Sequence, residues 1–240
     1  MAWFFADSNV TDKYSITGED AQHIKKSLRM REGEKLSLVS CDKTEHLCEI
    51  VSLGENVEVR VLSSKPCEQE PTVKVTLYQG LTKGDKMDFI IQKAVELGVT
   101  EIVPILTSRC ISRPDEKSIK KKTLRFQKIA LGAAQQSRRG IVPEIRPLLT
   151  LKEAAEKAKE DDLSIVFYEC GGEKLSTLLS ESPKNISIFI GSEGGFEESE
   201  IEALKSQGTV TATLGKRILR AETAPLAALS AIMFFTNNME

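Results

Sequence analysis

The sequence predicts an α/β protein with two domains, a small β-barrel of residues 1–70 and a larger domain of residues 71–240. Two observations support this division. Up to about residue 66, short stretches alternate between apolar and polar residues, as in strands that bury one face. After a polar, proline-containing segment at residues 65–71, short apolar runs alternate with helical patterns. Such alternation indicates a mainly parallel sheet with helices on both faces.

The first domain is predicted to contain three strands and one helix. The strands are expected at residues 34–40, 45–52 and 57–62, where β-branched and aliphatic residues are frequent and partly alternate with polar ones. A short helix is expected at residues 18–28, because its apolar residues recur at helical spacing. Together these elements describe a small barrel with one helix.

The second domain is predicted to contain five strands separated by helices. The strands are expected at residues 73–79, 101–106, 163–168, 185–190 and 209–214. The helices are expected at residues 86–97, 116–137, 152–159, 173–179, 198–205 and 224–236. In the first of these helices Phe89 is expected to face inward. The last helix is apolar over more than one face, which exceeds what an exposed helix normally carries.

The composition is that of an ordinary globular protein, with 40% hydrophobic and 28% charged residues. There is no run of about eighteen apolar residues, so no membrane span is predicted. The five cysteines are scattered without a CxxC pair and only two histidines occur, so neither a disulfide framework nor a metal site is expected. The N-terminal segment lacks the basic start of a signal peptide, and we expect a reduced, cytoplasmic protein.

The net charge of −2 conceals two basic stretches. Residues 109–139 contain ten lysines and arginines against two acids, and residues 23–35 contain five against two. Basic stretches on an otherwise acidic chain are suited to the phosphate backbone of a nucleic acid. For residues 117–128 taken alone, a solvated helix face is the better explanation.

Two glycine-containing loops near the C-terminus form the strongest candidate site. FIGSEGGF, at residues 189–196, follows a predicted buried strand and places three glycines around Glu193. LGKRILRAETA, at residues 214–224, follows the next strand, and Thr223 is the expected N-cap of the last helix. Glycines after a strand let a ligand approach the backbone closely. The loops match neither the dinucleotide-binding GxGxxG motif nor a Walker A loop.

These two loops closely resemble motifs two and three of the SPOUT methyltransferases, specifically the RsmE family. The resemblance covers nearly the whole chain, including KGDKMDFIIQKAVELGVTEIVP at residues 83–104, AAQQSRRGIVPEI at residues 133–145 and HIKKSLRMREGE at residues 23–34. Ser192 and Gln135 stand where the family usually has proline and glutamate. Neither difference removes a group that is expected to be essential.

The resemblance implies a fold and a function. Members of the family use S-adenosylmethionine to methylate N3 of a uridine in 16S ribosomal RNA of the small subunit. It implies a PUA-like RNA-binding domain followed by a SPOUT domain whose C-terminal segment forms a trefoil knot. It also implies a homodimer in which the apolar last helix contributes to the interface. From the residue pattern alone, this helix could equally pack in an ordinary core. With this resemblance, the two basic stretches are interpreted as binding RNA.

The resemblance and the chemistry of transfer suggest roles for individual residues. The expected cofactor-binding residues are Tyr168, Glu169, Ile190, Gly191, Glu193, Gly194, Gly195, Leu214, Gly215, Ile218 and Leu219. The expected RNA-binding residues are Arg29, Arg31, Lys83, Arg109 and Arg139, with Arg139 the leading candidate. Arg220 is the leading candidate for stabilising the uridine anion, with Arg217 second. Glu222 is equally a base for the N3 proton or a structural cap. The transfer requires no metal.

Alternative functions remain open. A non-catalytic RNA-binding protein of the same architecture would keep the basic stretches but lose the glycine loops, which are intact here. A SPOUT enzyme acting on another RNA nucleotide would share all of these features. A phosphate- or nucleotide-binding metabolic enzyme would need a recognised phosphate loop, and the sequence contains none.

Overall fold

The computed structural model describes residues 1–239, and these fall into two compact units. The first unit contains Met1–Glu70 together with Ala134–Val142. The second unit contains Pro71–Ala133 and the described residues from Pro143 onward. Residues 134–142, which were expected in the second domain, therefore pack with the first unit.

The first unit is built on a five-stranded sheet. Its strands are β1 (Ala2–Phe5), β2 (Lys13–Ile16), β3 (Lys35–Val39), β4 (Thr44–Leu53) and β5 (Val57–Pro66), in the order β1-β3-β4-β5-β2. β1 pairs with β3 in parallel, and the other neighbours are antiparallel. Helix α1 (Gly18–Gln22) continues directly into a π-helical turn (His23–Ser27). The strand-rich character of this unit, with one short helical segment, agrees with the sequence-based expectation.

The predicted strands of this unit correspond to β3, β4 and β5. β1 and β2 were not predicted, because each has only four residues and neither is long enough to show a clear alternation. Their apolar side chains nevertheless complete the core. Phe4 and Ile16 are buried in one cluster with Ile24, Leu36 and Leu38.

The carboxylate of Glu70 attaches residues 134–142 to the end of the first unit. It accepts hydrogen bonds from Arg139 Nε at 2.8 Å and Nη2 at 2.7 Å, and from Gly140 N at 2.7 Å. Arg139 is only 3% exposed, and its carbonyl oxygen accepts a hydrogen bond from Trp3 Nε1. A guanidinium that is buried and paired with a carboxylate is not available to phosphate. Burial and the pair with Glu70 therefore argue against an RNA contact by Arg139 and for a structural role.

The second unit is built on a parallel sheet of seven strands. They are β6 (Lys74–Gly80), β7 (Glu101–Leu106), β8 (Glu144–Ile145), β9 (Leu149–Thr150), β10 (Leu163–Phe167), β11 (Asn185–Ile190) and β12 (Val210–Ala212). The order is β12-β10-β11-β6-β7-β8, and β9 also pairs with β7. Every pairing is parallel. The carboxyl ends of β10, β11 and β12 therefore meet at one edge of the sheet.

Helices cover this sheet, as the alternating pattern predicts. They are α2 (Lys86–Glu96), α3 (Glu116–Gln136), α4 (Leu151–Ala158), α5 (Leu175–Leu178), α6 (Glu198–Ser206) and α7 (Ala224–Phe235). Capping boxes start α4 and α6, through Thr150 with Glu153 and Glu197 with Glu200. Thr223 occupies the N-cap of α7, but its side chain makes no capping hydrogen bond. Within residues 1–239, no helix combines the length and apolarity needed to cross a membrane.

The helices α2 and α7 pack against each other and leave aromatic surface exposed. Helix α2 buries Ile90 and Ala94, as predicted, but Phe89 is 44% exposed and not inward-facing. In α7, Phe234 is 58% and Phe235 49% exposed.

Candidate functional site

A cleft of about 440 Å³ lies at the carboxyl ends of β10, β11 and β12. Its walls are the three loops that follow these strands, together with the first residue of α2. All of the residues predicted to bind the cofactor line this cleft: Tyr168, Glu169, Ile190, Gly191, Glu193, Gly194, Gly195, Leu214, Gly215, Ile218 and Leu219. The structure thus brings them together, and their binding role stays a prediction.

The loop at residues 191–195 is packed so closely that Gly191 and Gly194 have no room for a side chain. A Cβ on Gly191 would lie 2.9 Å from Gly195 Cα, and one on Gly194 would lie 2.8 Å from Arg109 Cβ. Gly195 has a φ of +68°, a left-handed conformation that favours glycine. A Cβ on Gly80, at the end of β6, would overlap with Ser192 N. Gly80 was not singled out from the sequence, because its constraint comes from the neighbouring strand.

Ser192 contributes a buried hydroxyl to this loop. Ser192 lines the cleft and is 5% exposed. Within residues 1–239 its Oγ atom has no hydrogen-bond partner, although buried polar groups nearly always have one. A glycine-walled cleft with an unpaired hydroxyl, in the volume range of small-molecule pockets, is suited to a small polar ligand.

Lys86, the first residue of α2, connects two loops of the cleft and was missed in the sequence. Its Nζ lies 3.1 Å from Glu222 Oε2 and 3.5 Å from Glu193 Oε1. Glu193 Oε1 also accepts a hydrogen bond from the backbone N–H of Lys83 at 3.1 Å. The start of α2 is therefore tied to the glycine loop and to the segment before α7. The available signal was its position: Lys86 follows a strand that ends at the same sheet edge.

Glu222 is held as an ionised carboxylate. A hydrogen bond from its own backbone N–H, followed by its interaction with Lys86, lowers the pKa of Glu222 below its usual range. A carboxylate with a lowered pKa is a weaker proton acceptor. Of the two roles left open for Glu222, this geometry favours the structural one.

Arg220 lies on the wall of the cleft and its side chain is exposed. Among the described residues it has no side-chain hydrogen bond or ion pair, in contrast to Lys86 and Glu222. Arg217 also lines the cleft. Both arginines thus line the cleft beside the glycine loops and are exposed to solvent.

The residues predicted to bind RNA have different surroundings. Arg29 and Arg31 are exposed in the first unit, and Lys83 is exposed beside the cleft. Arg109 donates from Nε and Nη2 to the Glu197 carboxylate at 2.8 and 3.1 Å. The hydrogen bond from Arg109 and its charge lower the pKa of Glu197. Arg109 is therefore already bound to protein groups at the cleft.

Metal ligands are not clustered in the part of the chain that the structure describes. Among residues 1–239, no group of three or more histidine, cysteine, aspartate and glutamate side chains is arranged to hold an ion. Glu193 and Glu222 form ion pairs with the ammonium group of Lys86.

Comparison with known proteins gives two family matches. The model described as RNA methyltransferase domain matches residues 68–233, and the model described as RNA methyltransferase PUA domain matches residues 16–62. A Bacillus subtilis (strain 168) protein named ribosomal RNA small subunit methyltransferase E is 39% identical over 231 residues, covering 93% of this chain and 90% of that protein.

Solved structures agree with these matches. A ribosomal RNA small subunit methyltransferase E from Neisseria gonorrhoeae, bound to S-adenosyl methionine, has a TM-score of 0.90 and 32% identity, over 98% of this chain and 97% of that one. A putative methyltransferase from Legionella pneumophila, in complex with the cofactor SAM, has a TM-score of 0.89 and 30% identity, over 97% and 96%.

The fold and the site define the class as an RNA methyltransferase domain combined with a PUA domain. This chain belongs to the ribosomal RNA small subunit methyltransferase E family, because a relative at 39% identity spans most of both chains. The family predicted from the loop motifs, RsmE, is confirmed.

Proposed function

We propose that this protein transfers a methyl group from S-adenosylmethionine to N3 of a uridine in 16S ribosomal RNA of the small subunit. The observation that carries the proposal is the cleft, which combines a tightly packed glycine loop with the exposed guanidinium of Arg220. Relatives that span nearly the whole chain are named ribosomal RNA small subunit methyltransferase E, and one is bound to S-adenosyl methionine.

The residues of the cleft fit this cofactor. Gly191, Gly194 and Gly195 leave the backbone of this loop without side chains at three positions on the cleft wall, so a ligand can approach it closely. Ile190, Leu214, Ile218 and Leu219 provide an apolar lining suited to an adenine ring. Ile218 is 86% exposed, and a ligand in the cleft would cover apolar surface that is otherwise in water. When bound, the cofactor supplies a methyl group on a positively charged sulfur.

The residues of this chain must favour the uridine anion, because N3 becomes nucleophilic only when its proton leaves. A fixed cation near O2 or O4 of the base stabilises that anion. Arg220 is suited to this role, since its guanidinium has no carboxylate partner among the described residues. Glu222 is assigned to holding Lys86, and not to accepting the proton, because its pKa is lowered.

The direct test is mass spectrometry of 16S ribosomal RNA from a strain that lacks this protein. We expect one N3-methyluridine to be absent, and to return with the wild-type chain but not with Arg220→Ala. Calorimetric titration should show binding of S-adenosylmethionine and no binding of ATP. An unchanged methylation pattern would reject the proposed substrate, and a modification missing at another nucleotide would indicate another target.

The basic stretch of the first unit is proposed to contact ribosomal RNA through Arg29 and Arg31. Both side chains are exposed. In the Arg29→Ala/Arg31→Ala variant, the slope of log affinity against log salt should become less steep by roughly 1.4–1.8, because each lost phosphate contact removes about 0.7–0.9. Filter binding to small subunits between low and high salt measures the slope. A Lys159→Ala/Lys205→Ala control, outside both basic stretches, should leave it unchanged; equal slopes in all three proteins would contradict the assignment.

The protein is proposed to be a homodimer that buries the aromatic surface of α2 and α7. Phe89, Phe234 and Phe235 are the exposed residues that motivate this, and obligate interfaces are large and apolar. Sedimentation at micromolar concentration should give a dimer, and Phe234→Glu/Phe235→Glu should shift it to the monomer. Leu124→Glu, which adds one glutamate at an apolar position that is 71% exposed on α3, should sediment as the wild type. A monomeric wild-type protein would contradict the proposal.

The C-terminal segment is proposed to form the trefoil knot of SPOUT domains. In support, the chain end returns to the start of the second unit: Asn238 Oδ1 accepts hydrogen bonds from Thr72 N at 2.8 Å and Thr72 Oγ1 at 3.2 Å. An experimental structure in which residues 185–236 pass through no loop would contradict the knot.

The division of labour is proposed as residues 1–70 for RNA binding and residues 71–240 for cofactor binding, catalysis and dimerisation. The cytoplasm is the proposed location, in keeping with cysteines that are all free thiols. Thiol labelling of protein taken directly from cells should modify the exposed Cys41 and Cys170 without prior reduction.

A further inference from the structure

We propose that Arg109 is a positioning residue that braces the glycine loop at residues 191–195, and that it is not an RNA ligand. The ligand whose binding it supports is S-adenosylmethionine, so the inference rests on the proposed function. It replaces the role expected for Arg109 from its place in the basic stretch.

Three hydrogen bonds carry the inference. Arg109 Nη1 donates to the carbonyl oxygen of Gly194 at 3.1 Å. The other edge of the guanidinium, Nε and Nη2, forms a bidentate pair with the Glu197 carboxylate at 2.8 and 3.1 Å. A single planar group therefore connects the loop to the residue that starts α6.

The brace determines the orientation of the peptide unit between Gly194 and Gly195. In a trans peptide the carbonyl and the following N–H point in opposite directions. The Gly194 carbonyl is bound by Arg109, and the Gly195 N–H donates to Ser192 O at 2.9 Å. The unit is thus held at both ends. Glycines have the most backbone freedom in the unfolded chain, so this loop depends on external contacts for a single conformation.

Helix α6 holds both Arg109 and its partner Glu197 in place. Glu200, in the first turn of α6, accepts hydrogen bonds from Ser108 N at 2.8 Å and Glu197 N at 2.9 Å. The residue before Arg109 and the carboxylate partner of Arg109 are therefore both attached to the same helix. Arg109 also packs against Gly194, since a Cβ there would lie 2.8 Å from Arg109 Cβ.

The chemistry requires arginine at this position. A guanidinium presents donors in a fixed fork that serves a carboxylate with one edge and a carbonyl with the other. A lysine ammonium keeps the charge but not this geometry. A lysine still binds phosphate as a point charge, so the Arg109→Lys substitution separates the two roles.

The test is calorimetric titration of the full-length protein with S-adenosylmethionine. Arg109→Ala should raise the Kd for S-adenosylmethionine about tenfold or more, because groups that bind a ligand move out of place when a residue that supports them is removed. Arg109→Lys should remain several-fold weaker than wild type. Glu197→Gln should weaken binding in the same direction, and the double variant should lose less than the two separate losses combined.

Arg146→Ala is the matched control, because Arg146 is similarly exposed and pairs with Glu101 and Glu144 in the same unit. It should leave the cofactor Kd unchanged even if the melting temperature falls. Hydrogen exchange of residues 191–196 should accelerate in Arg109→Ala and not in Arg146→Ala. The exchange measurement needs no ligand. If the wild-type protein did not bind S-adenosylmethionine, the proposed function would be rejected, but exchange would still test whether Arg109 stabilises the loop.

Two results would overturn the inference. In one, Arg109→Ala binds the cofactor normally, shows no faster exchange and has a shallower salt dependence of RNA binding, which identifies an RNA ligand. In the other, Arg109→Lys restores full cofactor affinity, which means that charge alone is needed.

Discussion

Arg220→Ala should lower the single-turnover rate of small-subunit methylation by about a hundred- to a thousandfold, the usual effect of removing one preorganised charge-stabilising donor. Binding of S-adenosylmethionine should stay near the wild-type level. Arg220 lies on the cleft wall, but its side chain forms no hydrogen bond or ion pair with the described residues. Its removal should therefore leave the glycine loop intact. Rate, cofactor Kd and melting temperature are measured on the same preparation.

The pH dependence of this variant gives a sharper test. Uridine N3 is a weak acid, so raising the pH increases the fraction of uridine that is already an anion. Less stabilisation of this anion by Arg220 is then needed. The rate of Arg220→Ala should therefore rise more steeply with pH than that of the wild type. If Arg220 instead holds the chain near Glu222 in place, cofactor affinity and melting temperature fall with the rate, and high pH brings no recovery.

Two further variants compare neighbouring guanidinium groups. Arg220→Lys should recover part of the rate, because the cation is kept. Arg217→Ala removes a second arginine that also lines the cleft and should have the smaller effect. A larger loss in Arg217→Ala than in Arg220→Ala would transfer the catalytic role to Arg217.

Gly194→Val should abolish measurable binding of S-adenosylmethionine. Even the first added atom, Cβ, would lie 2.8 Å from Arg109 Cβ and 3.2 Å from Arg109 O. Because these neighbours include backbone, the loop at residues 191–195 must move, and the cleft changes shape. Calorimetry with the cofactor and circular dichroism of the same sample measure the effect. The first unit should remain folded.

Gly132→Val is the matched control for this substitution. Gly132 lies in α3, and an added Cβ would meet no atom within 4 Å. Its cofactor affinity should equal that of the wild type. If Gly194→Val binds S-adenosylmethionine as well as Gly132→Val does, the glycine loop is not the cofactor site.

Local sequence was sufficient for the family and for the helices and longer strands of the second unit, but not for the two-residue strands β8 and β9. β7 and β11 have the predicted bounds, residues 101–106 and 185–190, because each is a short, mostly apolar run with a polar residue at its start. The loops that follow β11 and β12 were recognisable because glycines after a buried strand stand out from local sequence alone. The parallel sheet then brings those loops to one edge, as the alternation of strands and helices requires.

Only the tertiary structure decided which charged residues are available for binding. Arg139 and Arg109 look equivalent in a basic stretch, yet one is buried against Glu70 and the other pairs with Glu197. Lys86 looks like an ordinary helix start, yet it joins two loops of the cleft. These partners are far away in sequence. They become neighbours because of the strand order and because residues 134–142 pack with the first unit. The spacing of hydrophobic residues along the chain predicts neither of these two features.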